Sequence, residues 1–391
     1  MVTQNLSIGK HSSEEGFQAE QVFTISSAHF IHDIYSSFLA PLLPLIIEKL
    51  SITLTLAGSL TACLQLPAIL TPLIGHLADK HNLRYLVILA PALTATTMSA
   101  MGVAPSYITL ALLLILAGVS VAFFHAPAPA MVGQSSGQRV GKGMGWFMGG
   151  GELARTVGPI VAVWAASTWT FEGMFRVVVI GWAMSAILFW RLRDIPVIDH
   201  RLGSLQSILP KLRSLFLPLF VIIIFRMFMV VCMTTYLPTY LNQKGSSLHL
   251  AGAALSILEL AGVVGALSGG TLSDRFGRKS LLTVVTILAP LLMIAFLNAS
   301  GWLLVPLLLS YGFISISPGP VFLALIQDHF PENRAVSNGL YISMNFLLRS
   351  LAMLLVGVAG DAFGLHVAFM GSAVLSLLGI GGIFLLPSKD K

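Results

Sequence analysis

Gly75-His-Leu-Ala-Asp79-Lys80 and Gly270-Thr-Leu-Ser-Asp274-Arg275-Phe-Gly277-Arg278-Lys279 lie half a chain apart and say nearly the same thing. Their glycines are separated by 195 positions in a chain of 391. Each stretch follows a long apolar run and precedes another, so each reads as a short, charged, water-facing turn between two spanning helices. The pair predicts a duplicated membrane protein.

Composition agrees. Hydrophobic residues make up 56% of the chain and charged residues 10%, against about 25% charged in an ordinary soluble protein. Apolar stretches near 23–47, 54–77, 85–103, 106–131, 143–167, 173–191, 215–241, 249–272, 280–299, 302–326, 334–358 and 366–387 are each long enough to cross a bilayer as a helix. They are continuously apolar, without the alternation of a membrane barrel strand. The reading is therefore all-α, with twelve transmembrane helices in two pseudo-symmetric six-helix bundles. Its divisions are a polar tail at 1–20, a bundle at 21–191, a linker at 192–214, a bundle at 215–387 and a short tail at 388–391.

The formal net charge is +6, but its distribution argues against nucleic acid. Of 22 Lys and Arg, 16 fall in the tails and in every second loop: Lys80 and Arg84, Arg139 and Lys142, the group from Arg191 to Arg213, Arg275 to Lys279, and Arg334. The alternate loops hold Lys49, Arg176 and Lys244, and three arginines lie inside helices. Basic residues favour the cytoplasmic side of a membrane, so both termini and the linker are expected there. Residues 1–20 lack the basic-then-apolar order of a cleavable signal and read as a disordered tail. Cys63 and Cys232 sit within apolar helices as small packing residues.

The duplication extends beyond the opening motif. Pro127-Ala-Pro129 answers Pro318-Gly-Pro320, Arg139 answers Arg334, and Glu152-Leu-Ala-Arg155 answers Phe346-Leu-Leu-Arg349. Aligning Pro44 with Pro238 sets His32 opposite Arg226. Two six-helix halves of like orientation with a site between them is the plan of the major facilitator transporters, and the Gly270–Lys279 stretch resembles that superfamily's motif between helices eight and nine. The first copy departs from it, with Asn82 at the second glycine's place. Within the superfamily the chain resembles the fosmidomycin-resistance-like branch of drug/proton antiporters. That likeness is carried by His29-Phe-Ile-His32-Asp33, Phe124-His125-Ala-Pro127, Gly149-Gly-Gly-Glu152 and Gly158-Pro159. Gly158-Pro159 is similar to the antiporter signature, although Val161 and Ala162 replace its following glycine pair.

Charges inside the helices need a reason, because each costs about 2.5–3.5 kcal/mol at the bilayer centre. They are Asp33, Glu152, Glu259, Arg155, Arg226 and Arg349, joined by His29, His32 and His125. His29, His32 and Asp33 share one broad helical face, and Glu152 and Arg155 are three apart. By resemblance, helices one, four, seven and ten line the central cavity, gathering His29, His32, Asp33, His125 and Arg226. Arginine offers a planar fork for carboxylate or phosphonate oxygens. Arg226, His32, His125, Arg155 and Arg349 are accordingly the expected substrate contacts. Histidine titrates near neutrality, which makes Asp33, Glu152, His29 and His32 the expected proton-coupling groups.

Blander roles stay open. Glu152 and Arg155 can neutralise each other, Glu259 can pair with Arg155 across the two halves, and Arg349 can bond carbonyls. His29, His32, Asp33 and His125 are chemically able to hold a metal, but one helix rarely presents three ligands convergently, so neither metal nor cofactor is expected.

The resemblance also implies a conformational latch from Gly75, Asp79, Lys80, Gly270, Asp274, Arg275, Gly277 and Arg278. In it Asp79 and Asp274 sit against helix N-termini of the opposite half, near Asn333-Arg334 and Lys142, and favour an outward-facing state. The glycines Gly262, Gly265 and Gly269 read as packing contacts or as hinges. No phosphate loop, dinucleotide fingerprint or serine elbow is present, so no enzyme is expected. The function expected is proton-coupled export of a small anionic or amphiphilic compound of phosphonate-antibiotic type. It would be carried out by a monomer in a bacterial or archaeal plasma membrane. Uptake of an organic anion by symport is the alternative; a membrane sensor or membrane-bound enzyme on the same scaffold is a third reading.

Overall fold

A computed structural model describes residues 16–71, 73–74, 84–192, 205–330 and 334–387. Those residues form helices and turns and contain no strand. In chain order the helices are α1 (Ala19–Leu50), α2 (Leu54–Leu70), α3 (Arg84–Val103), α4 (Tyr107–Ser135), α5 (Val140–Gly173), α6 (Val178–Leu192), α7 (Leu212–Gln243), α8 (Leu248–Phe276), α9 (Arg278–Asn298), α10 (Gly301–His329), α11 (Arg334–Phe363) and α12 (Leu365–Leu385). Ten apolar stretches are long enough to span a membrane. One of them, Lys142–Leu192, has 51 residues, a length of roughly 76 Å as one helix and over twice a hydrocarbon core. It is broken near the end of α5 at Thr170, whose φ of 66° is non-helical, and the turn at Met174–Val177 then leads into α6. With the shorter α2 the count is twelve, a multi-pass membrane protein.

Prolines set the breaks inside the long helices. In α1, Pro41 and Pro44 lack the N–H that a regular helix needs, and the helix interrupts just before them at Ser37–Phe38. The hydroxyls of Ser36 and Ser37 donate to the Asp33 carbonyl at 2.9 and 2.8 Å. In α10, Pro318 leaves the Ile314 carbonyl without its helix donor, and the Ser317 hydroxyl replaces it at 2.9 Å. In α7 the break is a π turn over Cys232–Tyr236, immediately ahead of Pro238. Such turns mark functional sites more often than chance.

Packing gathers α1 with α5, α3 with α6, α7 with α11 and α12, and α8 with α10. Gly262, Gly265 and Gly269 face α10, and a Cβ on Gly265 would lie 2.1 Å from the Phe313 carbonyl oxygen. Close helix approach is thus their geometry. The first and last six helices meet along α2–α11, α5–α8 and the ends of α1 and α7 beyond their breaks. We call the face holding the α1–α2 and α11–α12 turns the far face. There the Tyr236 hydroxyl reaches the carbonyls of Leu54 (3.2 Å) and Met353 (2.8 Å), and Gly58 lets α2 come against Met353. At the opposite, near face, the end segments of α4 (Ala128–Ser135) and α10 (Pro318–His329) share no comparable packing.

Asp361, near the end of α11, closes the far face. Its carboxylate accepts from the backbone N–H groups of Leu54 (2.7 Å) and Thr55 (2.8 Å) and from the Thr55 hydroxyl. These are the free donors that begin α2, and a carboxylate there also meets the positive end of the helix dipole. Losing a helix cap costs about 0.5–2 kcal/mol. Asp361→Ala is therefore expected to shift the balance toward a far-face-open form by roughly two- to thirtyfold. Spin labels on the far-face ends of α2 and α11 would show a longer distance population; an unchanged distribution would mean that packing alone holds this face shut.

Candidate functional site

Asp33 on α1 is the hub of a buried cluster. His32 Nδ1 lies 2.9 Å from Asp33 Oδ1, His125 Nε2 lies 3.1 Å from the same oxygen, and His29 Nε2 lies 3.2 Å from Oδ2. Helical spacing puts His29 and Asp33 one turn apart, and α4 delivers His125 from the side. Phe124 stacks on the His32 ring at 4.7 Å and Phe147 stacks on His29 at 4.0 Å. Gly151 makes room for His29: a Cβ there would stand 2.5 Å from the ring. His32 and His29 are almost fully buried, whereas the His125 side chain is 32% exposed and forms the open side of the cluster.

The hydrogen bonds fix where protons sit. The Phe147 carbonyl can only accept, so His29 Nδ1 donates to it at 2.8 Å. A neutral His29 then turns the bare lone pair of Nε2 toward a carboxylate oxygen, and Nε2 has no hydrogen-bond partner. His32 differs. Its Nδ1–H donates to Asp33, and Nε2 meets the Thr94 hydroxyl at 3.0 Å, which continues to Ser120 at 2.8 Å. Ser120 passes its own proton to the Ala90 carbonyl, so the Thr94 hydroxyl accepts from His32 Nε2–H, and both ring nitrogens of His32 face acceptors. A second ring proton on His29 would complete the 3.2 Å contact between Nε2 and Asp33 Oδ2.

A second set of charges adjoins the first. Arg155 pairs with Glu152 on its own helix and stands 3.8 Å from Glu259 of α8. It lies within electrostatic reach of Asp33 as well. Glu259 in turn interacts with Arg349, and Arg349 with Arg226. Alternating charge thus runs from the histidine cluster through Arg155 and Glu259 to two guanidinium groups in the last six helices. Arg226 donates to the Ser315 carbonyl and Arg349 to the Thr234 hydroxyl at 3.0 Å. Both keep a buried Nε without a partner, and neither has a carboxylate at ion-pair distance among the described residues.

Of the latch residues, Gly75, Asp79 and Lys80 lie outside the described residues, as do residues 1–15 and 388–391 of the two tails, 193–204 of the linker, and Asn333. In the second copy, Gly277 (φ 89°) turns the chain between α8 and α9, where a left-handed conformation favours glycine. Arg278 pairs with Asp328 at 2.5 Å and Lys279 donates to the Leu386 carbonyl at 2.6 Å, so both tie the turn to their own six helices. No hydrogen bond or ion pair of Gly270, Asp274 or Arg275 crosses between the halves among the described residues, and Asp274 is exposed. Asp361, Tyr236, the Phe147 carbonyl and the Thr94–Ser120 pair were not among the sequence candidates. The signal for Asp361 was an acid at a helix end in a chain with few acids, with Thr53 and Leu54 starting a helix elsewhere.

Helices of this number, paired in this way around buried charges, are those of a multi-pass membrane protein. The comparisons agree. The family model of the Major Facilitator Superfamily matches residues 25–353, and the chain belongs to that family. It is similar to the fosmidomycin resistance protein of Escherichia coli (strain K12), at 24% identity over 378 residues that cover 94% of this chain and 93% of the relative. In fold it resembles a bacterial homolog of the human lysosomal transporter Spinster in an inward-facing, occupied conformation. That match has a TM-score of 0.82 and 15% identity over 96% of this chain and 97% of the other. It also resembles the D-xylose-proton symporter, with a TM-score of 0.74 and 15% identity over 96% and 98% of the two chains. A transporter of this family moves a small molecule; the homologues and the fold are not those of enzymes.

Proposed function

We propose that this chain is a proton-coupled exporter of a small anion of phosphonate type, working by alternating access in a bacterial or archaeal plasma membrane, with both termini cytoplasmic. The observation that carries this reading is the charge arrangement. Among the described residues Arg226 and Arg349 have no carboxylate at ion-pair distance, Arg349 feeling only the more distant Glu259, while the His29–Asp33 contact is placed to take up a second ring proton. The first deficit suits an anionic substrate, and a guanidinium fork suits phosphonate or carboxylate oxygens. The second suits a proton delivered from water through exposed His125. The likeness to a fosmidomycin resistance protein favours export and a phosphonate. Packing concentrated at the far face, and the likeness to an inward-facing transporter, support a state whose cavity opens toward the cytoplasm.

Uptake by symport is kept as a second reading on one observation, the sign of the charge chain. Protonating Asp33 or Glu259 adds positive charge beside Arg155 and Arg349, so direct electrostatics makes proton and anion binding cooperative, and that cooperativity is reciprocal. Export by exchange must overcome this through the change of conformation. Proteoliposomes with an imposed proton gradient and fosmidomycin as substrate separate the readings. Movement of substrate opposite to proton flow is the expected result. Movement in the same direction selects symport, and no coupled flux with any anion tested removes both.

A further inference from the structure

The His29–Asp33 contact can hold something larger than a proton. At 3.2 Å the two atoms are close, but His29 Nε2 makes no hydrogen bond although the residue is only 4% exposed. Donor atoms of His29, Asp33 and His125 all lie within 4.8 Å of one another. In a tetrahedral site, zinc-type bonds of about 2.0–2.2 Å place neighbouring donors roughly 3.3–3.6 Å apart. The His29 Nε2–Asp33 Oδ2 separation of 3.2 Å and the 3.1 Å from His125 Nε2 to the other carboxylate oxygen lie just below that range, so a small outward shift of the ligands would admit the ion.

Supporting bonds are of the kind that hold metal ligands in place. A ligating histidine donates its second ring N–H to a carbonyl or carboxylate, and a ligating carboxylate is itself hydrogen-bonded. His29 donates to the Phe147 carbonyl, and His32 donates to Asp33 while its other nitrogen meets Thr94. The partly exposed His125 leaves a side open to water. Arg155 is the cation within electrostatic reach, and its charge is drawn toward Glu152 and Glu259. The sequence argument against a metal assumed three ligands from one helix. Here α1 supplies two and α4 the third.

We propose that His29, Asp33 and His125 form a binding site for a divalent first-row transition-metal ion of the zinc class. Two imidazoles and a carboxylate suit such an ion and not calcium or magnesium, which prefer oxygen donors. The site stands apart from the substrate reading, since it needs neither Arg226 nor a gradient. A bound dication would occupy the position a coupling proton needs and would arrest proton-driven transport.

The test uses the full chain in detergent, stripped with a chelator and titrated with cobalt chloride, with no substrate present. One cobalt per chain is expected, with the visible absorption of nitrogen and oxygen coordination, displaced by one equivalent of zinc. His29→Gln and His125→Gln should each weaken binding by at least about tenfold, the lower bound seen for losing even an outer partner. His366→Gln, which alters an exposed histidine bonded to Tyr240, should leave binding unchanged. If His29→Gln fails to fold, the solvent-facing His125→Gln decides. No stoichiometric binding, binding unaffected by His125→Gln, or binding lost in His366→Gln would each overturn the proposal.

Discussion

Asp33→Asn is expected to abolish proton-driven accumulation while leaving a folded protein that still exchanges substrate down its gradient. The amide oxygen can accept from His32 and His125 as the carboxylate does, and the amide N–H can donate to the unpartnered Nε2 of His29. Asparagine therefore imitates the protonated hub and satisfies the cluster without releasing a proton. Asp33→Ala makes the contrast. It leaves two imidazole N–H groups facing a hole in a buried site, and breaking a buried pair costs about 3–5 kcal/mol. The asparagine variant should melt near the parent protein and the alanine variant well below it. Flux in proteoliposomes, with and without a proton gradient, reads the functional half. An asparagine variant that still accumulates substrate against its gradient would move the coupling site elsewhere, with Glu152 and Glu259 the next acids in the charge chain.

Arg226→Lys should weaken an anionic substrate strongly. The guanidinium is held by the Ser315 carbonyl at the broken end of a helical piece of α10, beside Tyr311 and Tyr341. Its buried Nε has no hydrogen-bond partner. Lysine keeps the charge but not the fork, and it is held less well by a single carbonyl. Loss of one charge-assisted hydrogen bond is worth about 1.5–3 kcal/mol, or roughly ten- to hundredfold in affinity. Equilibrium binding of fosmidomycin to purified protein measures this directly. Unchanged affinity together with a lower melting temperature would make Arg226 a helix-end cap and nothing more.

Much of this architecture was legible because a bilayer imposes simple rules. Repeated apolar runs gave the helices, and the paired turns at Gly75 and Gly270 gave the duplication. The α1 histidines and Asp33 could be placed on one face from spacing alone, and so could Glu152 with Arg155. Other features were hidden for physical reasons. Spacing within α1 says nothing about the Phe147 carbonyl on α5, yet that contact fixes the His29 tautomer. The break at Thr170 has no proline or glycine at the position itself. Asp361 looked ordinary because acids at helix ends are cheap in a membrane protein; its importance comes from a helix start some three hundred residues earlier in the chain.

The joint in α7 has a mechanical meaning. A π turn holds one residue more than the α-helix it interrupts, and each residue of an α-helix advances it by about 100°. If Cys232–Tyr236 rewound into regular helix, the Tyr236 ring would swing away from Leu54 and Met353 together. Helical phase in α7 and contact between the halves are then a single variable: parting the far face and removing the extra residue from the winding are the same motion.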